Sequence, residues 1–399
     1  MQPISAQHAS AHDLKVGGRA FDTLIVGAGS MGIAAGYYLS KAGNKVLLLD
    51  AGVPPHEAGA HHGSTRLIRH AYGEGAGYVP LALRAQQLWL ELEQHTGANL
   101  FARTGITNIG KAGDTFLQEV QRSAVEHGLP LETLDGPEAS KRWPAWRLAD
   151  NHVVSFEPDA GVLYCERAIR GYRDLAASRG ATLRTNTRVA SIELHGQSSV
   201  SVVTDNGERF TGRDLIVCAG KWTRPLLASV GFDIPVTRVR KSFAWFESAP
   251  NAFTPDVFPG FIAGSDVGQF YGFPDLEGSG FKIGRHDAGE PVAVDADLAP
   301  FGDEATDLSD LQAFLRLHLP GVGAMRRGRV CEYDMTPDTH FIIDRLPASP
   351  NVQIAAGFSG HGFKFASAIG EALAERITQG ASRVDLSMFT CQRFEGPRG

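Results

Sequence analysis

Short apolar runs separated by glycine-rich turns open this chain. Phe21–Val26 is apolar and ends in Gly27-Ala28-Gly29-Ser30-Met31-Gly32. The alanine-rich residues 33–41 then read as a helix stopping at Gly43. Residues 45–49 read as a second buried strand closing on Asp50, which completes a βαβ unit. Leu81, Ala85, Leu88 and Leu92 share one helical face, and that helix ends at Gly97. Residues 104–146 mix short strands and helices without a clear period. Residues 164–179 predict a helix, residues 182–184 and 189–192 predict strands, and 214–220 predict another buried strand closing on small residues. From 236 to 286 the pattern turns to β, with 242–246 and 281–283 as candidate strands. The end returns to α/β: residues 352–356, a glycine-rich turn, and a helix with Ile369, Leu373 and Ile377 on one face. The expected architecture is α/β, a doubly wound nucleotide-binding domain built from separate segments with a β-rich domain inserted between them.

Composition narrows the class. At 399 residues, with 43% hydrophobic and 21% charged residues, the chain is an ordinary globular protein long enough for two domains. A formal charge of −6 argues against a nucleic-acid binder. The 4 cysteines, Cys165, Cys218, Cys331 and Cys391, lack metal-type spacing, so no metal site is expected and a reducing, cytoplasmic setting is. No apolar run is long enough to span a bilayer, and no membrane association is expected. Residues 1–20 are polar and patternless and read as a disordered extension.

The glycine loop carries the first chemistry. Gly27 allows a tight turn, Gly29 leaves room for a pyrophosphate, and Gly32 lets helix and strand pack closely. Asp50, at the end of the next strand, can accept from a ribose hydroxyl. Strand, loop, helix and acid in this order specify a dinucleotide site, but do not separate NAD from FAD. Cys331 alone reads as a small buried apolar side chain. The downstream run Gly357-Phe358-Ser359-Gly360-His361-Gly362-Phe363-Lys364 offers an alternative, a flavin bound through sulfur.

Residues 60–74 concentrate His61, His62, Arg66, Arg69 and His70 between glycines, and read as a loop that is either solvated or faces a ligand. At this strip the sequence resembles the monomeric sarcosine oxidase family of flavin amine oxidases, which includes N-methyltryptophan oxidase. The family pattern is His-His-Gly-Asp-Thr-Arg-Ile-Ile-Arg-His-Ala-Tyr-Gly-Glu-Gly, and this chain departs from it with Ser64 and Leu67. Tyr271-Gly272-Phe273-Pro274, Lys282-Ile283-Gly284-Arg285-His286, Phe341-Ile342-Ile343-Asp344 and the block from Phe358 to Ala366 also agree. Similarity runs from about Asp22 to about Phe394.

The resemblance implies a glutathione-reductase-like FAD-binding domain from residues 21–100, 153–235 and 325–399. It implies an α+β substrate domain with a large sheet from 101–152 and 236–324. It further implies FAD attached through the sulfur of Cys331, with cofactor contacts from Val189, Gly360, Gly362, Phe363 and Lys364. Arg69 and Lys364 match positions that grip a substrate carboxylate, although a structural ion pair or a surface lysine would satisfy the pattern too. Lys282 matches the oxygen-activating lysine. His62 and Arg66 match positions beside the flavin ring, and Tyr271, His286 and Tyr333 match pocket walls. Ser64 removes the charge of the family's aspartate. The implied reaction converts an N-alkyl amino acid, with O2 and water, into the amino acid, an aldehyde and hydrogen peroxide in a monomeric enzyme. Oxidation of cyclic secondary amino acids such as pipecolate or proline, or of fructosyl amino acids, remains an alternative. So does a non-redox FAD-binding module, while an NAD-dependent dehydrogenase leaves Cys331 unexplained.

Overall fold

The computed structural model describes residues 21–249 and 251–394; the N-terminal extension expected at 1–20 lies outside them. Among the described residues, two eight-stranded sheets and one three-stranded sheet organise the fold. In the first, Phe21–Val26 lies in parallel register between Val46–Leu49 and Arg209–Val217. Thr182–Arg184 extends it beyond Val46–Leu49. Arg209–Val217 is shared: its early residues pair antiparallel with Val200–Thr204, and its last three pair parallel with Ser349–Ala356.

Period-two alternation decides what each face buries. Ile25, Leu48, Ile216 and Ala355 join one core with the helices Ser30–Lys41, Cys165–Ser178 and Ala366–Thr378. Leu24, Val26, Leu47, Leu49, Leu215 and Val217 face the opposite core. This sheet, apolar on both sides, is why its strands read as continuous apolar runs rather than alternating ones. Gly370 sits where the helix Ala366–Thr378 crosses Ser30–Lys41; a Cβ there would overlap Ala34 and the Ala35 nitrogen.

The second sheet runs in the order Val322–Met335, Thr237–Ser248, Phe281–Arg285, Gly268–Phe273, Gly260–Ser265, Ile106–Lys111, His152–Glu157, Glu132–Asp135. Only the Gly260–Ser265/Ile106–Lys111 pairing is parallel. An aromatic core with Phe261, Phe270, Phe281 and Phe314 covers one face under the helix Thr306–His318. The α/β reading holds, and the helices after Val79 and Cys165 start and stop within a residue or two of their patterns.

Sheet membership divides the chain at other places than 153 and 325. His152–Glu157 and Val322–Met335, the latter carrying Cys331, hydrogen-bond into the second sheet. An extended pattern states that a segment is a strand, not which edge it joins. The strip at 60–74 also differs from a loop. Thr65–Ile68 is a buried strand paired with Gly161–Tyr164 in the three-stranded sheet.

Candidate active site

Two cavities meet where the sheets adjoin. The larger, about 720 Å³, runs along the glycine loop and is lined by Gly27, Gly29, Ser30, Asp50, Val189, Gly220, Gly360 and Gly362. The smaller, about 420 Å³, is lined by Arg69, Tyr271, Lys282, His286, Cys331 and Lys364. Arg66, Tyr333, Ser359, Gly360 and Phe363 line both, so the two cavities lie side by side across a shared wall.

At the loop, Gly27 has φ of +93°, and a Cβ there would run into the Cys218–Ala219 backbone. Gly29 meets only the His61 ring, at 3.7 Å, and so leaves the groove open. Gly32 does not line the groove; it lets the helix sit against the Gly27 carbonyl. Asp50 Oδ2 accepts from Ala28 N at 2.7 Å, and Oδ1 from Gly52 N at 2.8 Å and the His56 ring at 3.0 Å. Burial opposes the Asp50 charge, but these bonds outweigh it and hold its pKa below the usual range. Part of the acceptor capacity expected for a ribose thus goes to fixing the loop itself.

Lys282 is 2% exposed. Its Nζ donates to Gly63 O at 2.6 Å, Thr65 O at 3.2 Å and Thr65 Oγ1 at 3.3 Å. The rings of Phe273, Phe243 and Trp245 surround it at 4.6, 4.8 and 5.3 Å. A solvent-facing strand position is ruled out. Burial, with the Arg66 charge beside it, brings its pKa from 10.5 to about 7. The unfolded chain therefore binds the extra proton between pH 7 and 10.5, so this lysine's contribution to stability grows as pH rises through that window. In cofactor-free protein, denaturant titrations from pH 7 to 9.5 should show a more positive stability slope for wild type than for Lys282→Met. Equal slopes would contradict the shift.

Arg69, 2% exposed, directs Nη2 at both Glu74 oxygens, at 2.8 and 2.6 Å, and stacks on Tyr72 at 4.0 Å. Its Nε is buried without an acceptor. An ion pair is present, then, but inside the cavity, where Glu74 is also a wall. Burial would raise the Glu74 pKa; the Arg69 charge outweighs it and holds it at about 2. Lys364 is buried rather than at the surface. Its Nζ donates to His361 O at 2.7 Å and Tyr72 Oη at 3.1 Å, and burial with the Arg69 charge depresses its pKa strongly. His361 pairs with Tyr72 Oη at 2.8 Å and Thr339 O at 3.0 Å, so one network joins these side chains.

Cys331, 3% exposed, stands opposite Lys241 in the antiparallel register. Directly paired residues share a sheet face, so the cysteine, Lys241, Phe243 and Tyr333 all look into the same cavity. Burial raises the Cys331 thiol pKa, against the pull of Arg66, Lys282 and Lys241. Arg66 donates to the carbonyls of Thr65, Ala60 and His62 at 2.9, 2.8 and 2.9 Å. His62 lines neither cavity described above but a third, about 370 Å³, on the other side of Cys331. Burial and Arg66 bring its pKa to about 4, so at neutral pH the charge of this pair rests on Arg66. His286, with its ring 5.6 Å from Tyr333, is likewise held near 4 by burial. Among the described residues no His/Cys/Asp/Glu group could hold a metal ion.

Residues 22–376 match the family described as FAD dependent oxidoreductase. The chain belongs to this family. The oxidoreductase is 46% identical over 376 residues to monomeric sarcosine oxidase of Bacillus sp. (strain B-0618), covering 94% of this chain and 96% of that one. It is 43% identical over 375 residues to N-methyl-L-tryptophan oxidase of Yersinia pestis (strain Pestoides F), covering 94% and 99%. Its fold superposes on L-proline dehydrogenase from P. horikoshii with a TM-score of 0.82 at 22% identity, covering 94% and 97%. The same holds for glycine oxidase from Geobacillus kaustophilus, at 0.79 and 21%, covering 94% and 98%.

The groove fits FAD. The helix Ser30–Lys41 opens with no side-chain cap, so its first-turn N–H groups are offered to an anion. The open side of Gly29 gives room for the pyrophosphate, and the groove adjoins the smaller cavity across their shared wall. Sequence reasoning missed Glu74 and Lys241 as cavity residues, and Tyr72 as the buried hydroxyl that joins Lys364 to His361. Glu74 was within reach, since it closes the same charged strip as Arg69. Tyr72 lies in that same strip, whereas Lys241 carried no signal beyond a basic residue in a β-patterned tract.

Proposed function

We propose that this oxidoreductase oxidises N-methyl, secondary-amine L-amino acids bearing a free carboxylate. Oxygen and water are consumed, and the amino acid, formaldehyde and hydrogen peroxide are released. The observation that carries the reading is one 420 Å³ cavity with Arg69, Lys364, Lys282 and Cys331 on its wall, sharing five wall residues with the groove at the glycine loop. That volume lies within the range of about 300–1,000 Å³ usual for ligand pockets. The sarcosine- and N-methyltryptophan-type names of the relatives point to the same chemistry. FAD, when bound, supplies the two-electron oxidant for the carbon beside the amine nitrogen, and we assign its attachment to the Cys331 sulfur.

The side chains divide the remaining work. A substrate carboxylate meets the Arg69 fork where Glu74 now pairs with it, and competes for those donors. The unused Lys364 N–H adds a point charge, and an arriving anion favours the charged form of a lysine that burial has neutralised. Tyr271 and Tyr333 shape the wall. His286, with a pKa near 4, is a neutral polar wall at pH 7 and not the base that takes the ammonium proton. Lys282 provides the cation for oxygen. A cytoplasmic monomer is the form we propose; the small number of cysteines and the relative's name support it. Among the described residues, no helix is long and apolar enough to cross a membrane.

Peroxide-coupled turnover with N-methyltryptophan, sarcosine, pipecolate and N-methylalanine tests the substrate class. Turnover of at least one N-methyl amino acid at ten times the pipecolate kcat/KM is expected. Preference for pipecolate would transfer the reading to cyclic amines. No peroxide with any of them would end it.

A further inference from the structure

Glu157 is the last residue of the strand His152–Glu157 and is 1% exposed, yet among the described residues no arginine or lysine lies in ion-pair contact with it. Its carboxylate is spent on the charged strip instead. Oε1 accepts from His70 N at 2.9 Å, Oε2 from His70 N at 3.1 Å and from Ala71 N at 3.2 Å, and Oε1 also pairs with the His70 ring. A buried carboxylate that is not neutralised by a cation must be satisfied by directed N–H groups, and removing it would strand those donors. The donors belong to the two residues immediately after Arg69. Upstream, the strip is held by Lys282 on the Gly63 and Thr65 carbonyls and by the Thr65–Ile68 strand pairing. Arg69 lies just past the end of that strand, where the ladder no longer fixes the backbone.

We propose that Glu157, which does not line the cavity, is the positioning residue that sets the direction of the Arg69 guanidinium toward the substrate carboxylate. This rests on the reading of Arg69 as the carboxylate grip. Arg69 stacks on Tyr72 and reaches Glu74, both on the same turn. The backbone path through 70 and 71 therefore decides whether the fork meets the cavity or turns from it. Glutamine at 157 keeps the length but sets an amide N–H against backbone N–H groups that need acceptors. Aspartate keeps the charge on a shorter arm.

A double-mutant cycle on the FAD-loaded enzyme tests the idea, with the best substrate of the panel above. Glu157→Gln should raise KM about tenfold and change kcat less than about threefold. In an Arg69→Gln background the same substitution should raise KM no more than about twofold, since the guanidinium it positions is gone. Glu157→Asp should fall between wild type and Glu157→Gln, and replaces it in the cycle if the glutamine variant does not fold. Penalties that multiply independently of Arg69, or a KM unchanged by Glu157→Gln, would overturn the positioning role. An Arg69→Gln variant with wild-type KM would instead overturn the carboxylate grip, whatever Glu157 does.

Discussion

Lys282→Met should slow the oxygen half-reaction by about 10²- to 10³-fold while leaving the anaerobic amine half-reaction within a few-fold of wild type. The size follows from the loss of one fixed electrostatic group in a dry site, roughly 2.7–4 kcal/mol. Oxygen gains negative charge as it accepts electrons, and a cation whose orientation is already set costs no reorganisation when that charge appears. Lys282 meets the description: its three donors go to Gly63 O, Thr65 O and Thr65 Oγ1, and three aromatic rings keep water away. Its pKa near 7, lowered by burial and Arg66, means the site resists holding a second cation until an anion is present. Methionine matches the lysine stem in length and removes only the charge and the donors. Stopped-flow absorbance separates the two halves, with anaerobic mixing against substrate and aerobic mixing of reduced enzyme. Reoxidation at the wild-type rate would remove Lys282 from the oxygen chemistry. An equal loss in both halves would show that the lysine serves the Gly63–Thr65 backbone instead.

The nucleotide half of the molecule was legible because its signals are local. Gly27, Gly29 and Asp50 lie within one βαβ unit, and the spacing alone places them together. The substrate half depends on pairing between distant strands. Lys282 reaches Gly63 across 219 residues, and Cys331 reaches Lys241 only through strand register. The ordered family blocks gave Arg69, Lys364, Lys282 and Cys331 separate expected roles, and the fold brings the four onto one cavity. Position in a block did not reveal protonation, and His62 illustrates the gap. Its motif set it beside the flavin ring with Arg66 and said nothing of its charge; burial beside that same arginine keeps the imidazole neutral. Glu157 is the opposite case. Nothing in His152–Glu157 marks its last residue, because its partners are backbone N–H groups 87 and 86 residues away.

The second large effect concerns Cys331. In the wild-type protein, flavin fluorescence should migrate with the chain on a denaturing gel; in Cys331→Ala it should be absent, an all-or-none difference. The structure removes the competing account of this residue only in part. Cys331 is buried and packs with Phe243, Trp245 and Tyr333, as a small apolar side chain would. Unlike Cys165, which is enclosed in the helix-side core, it also forms a wall of two separate cavities. A thiol becomes a nucleophile as thiolate, and burial alone disfavours that form. Arg66, Lys282 and Lys241 all act in the other direction on Cys331, so three basic side chains converge on the one cysteine in the wall of the smaller cavity. Alanine at 331 leaves those cations and the groove intact, so the variant should still bind FAD without a covalent bond and release it on acid precipitation. Arg66→Lys keeps a positive charge but loses the planar fork on Thr65, Ala60 and His62, and should give partial labelling. Wild-type flavin that washes out with acid would assign Cys331 to the core. Labelling that persists in Cys331→Ala would move the attachment to another side chain.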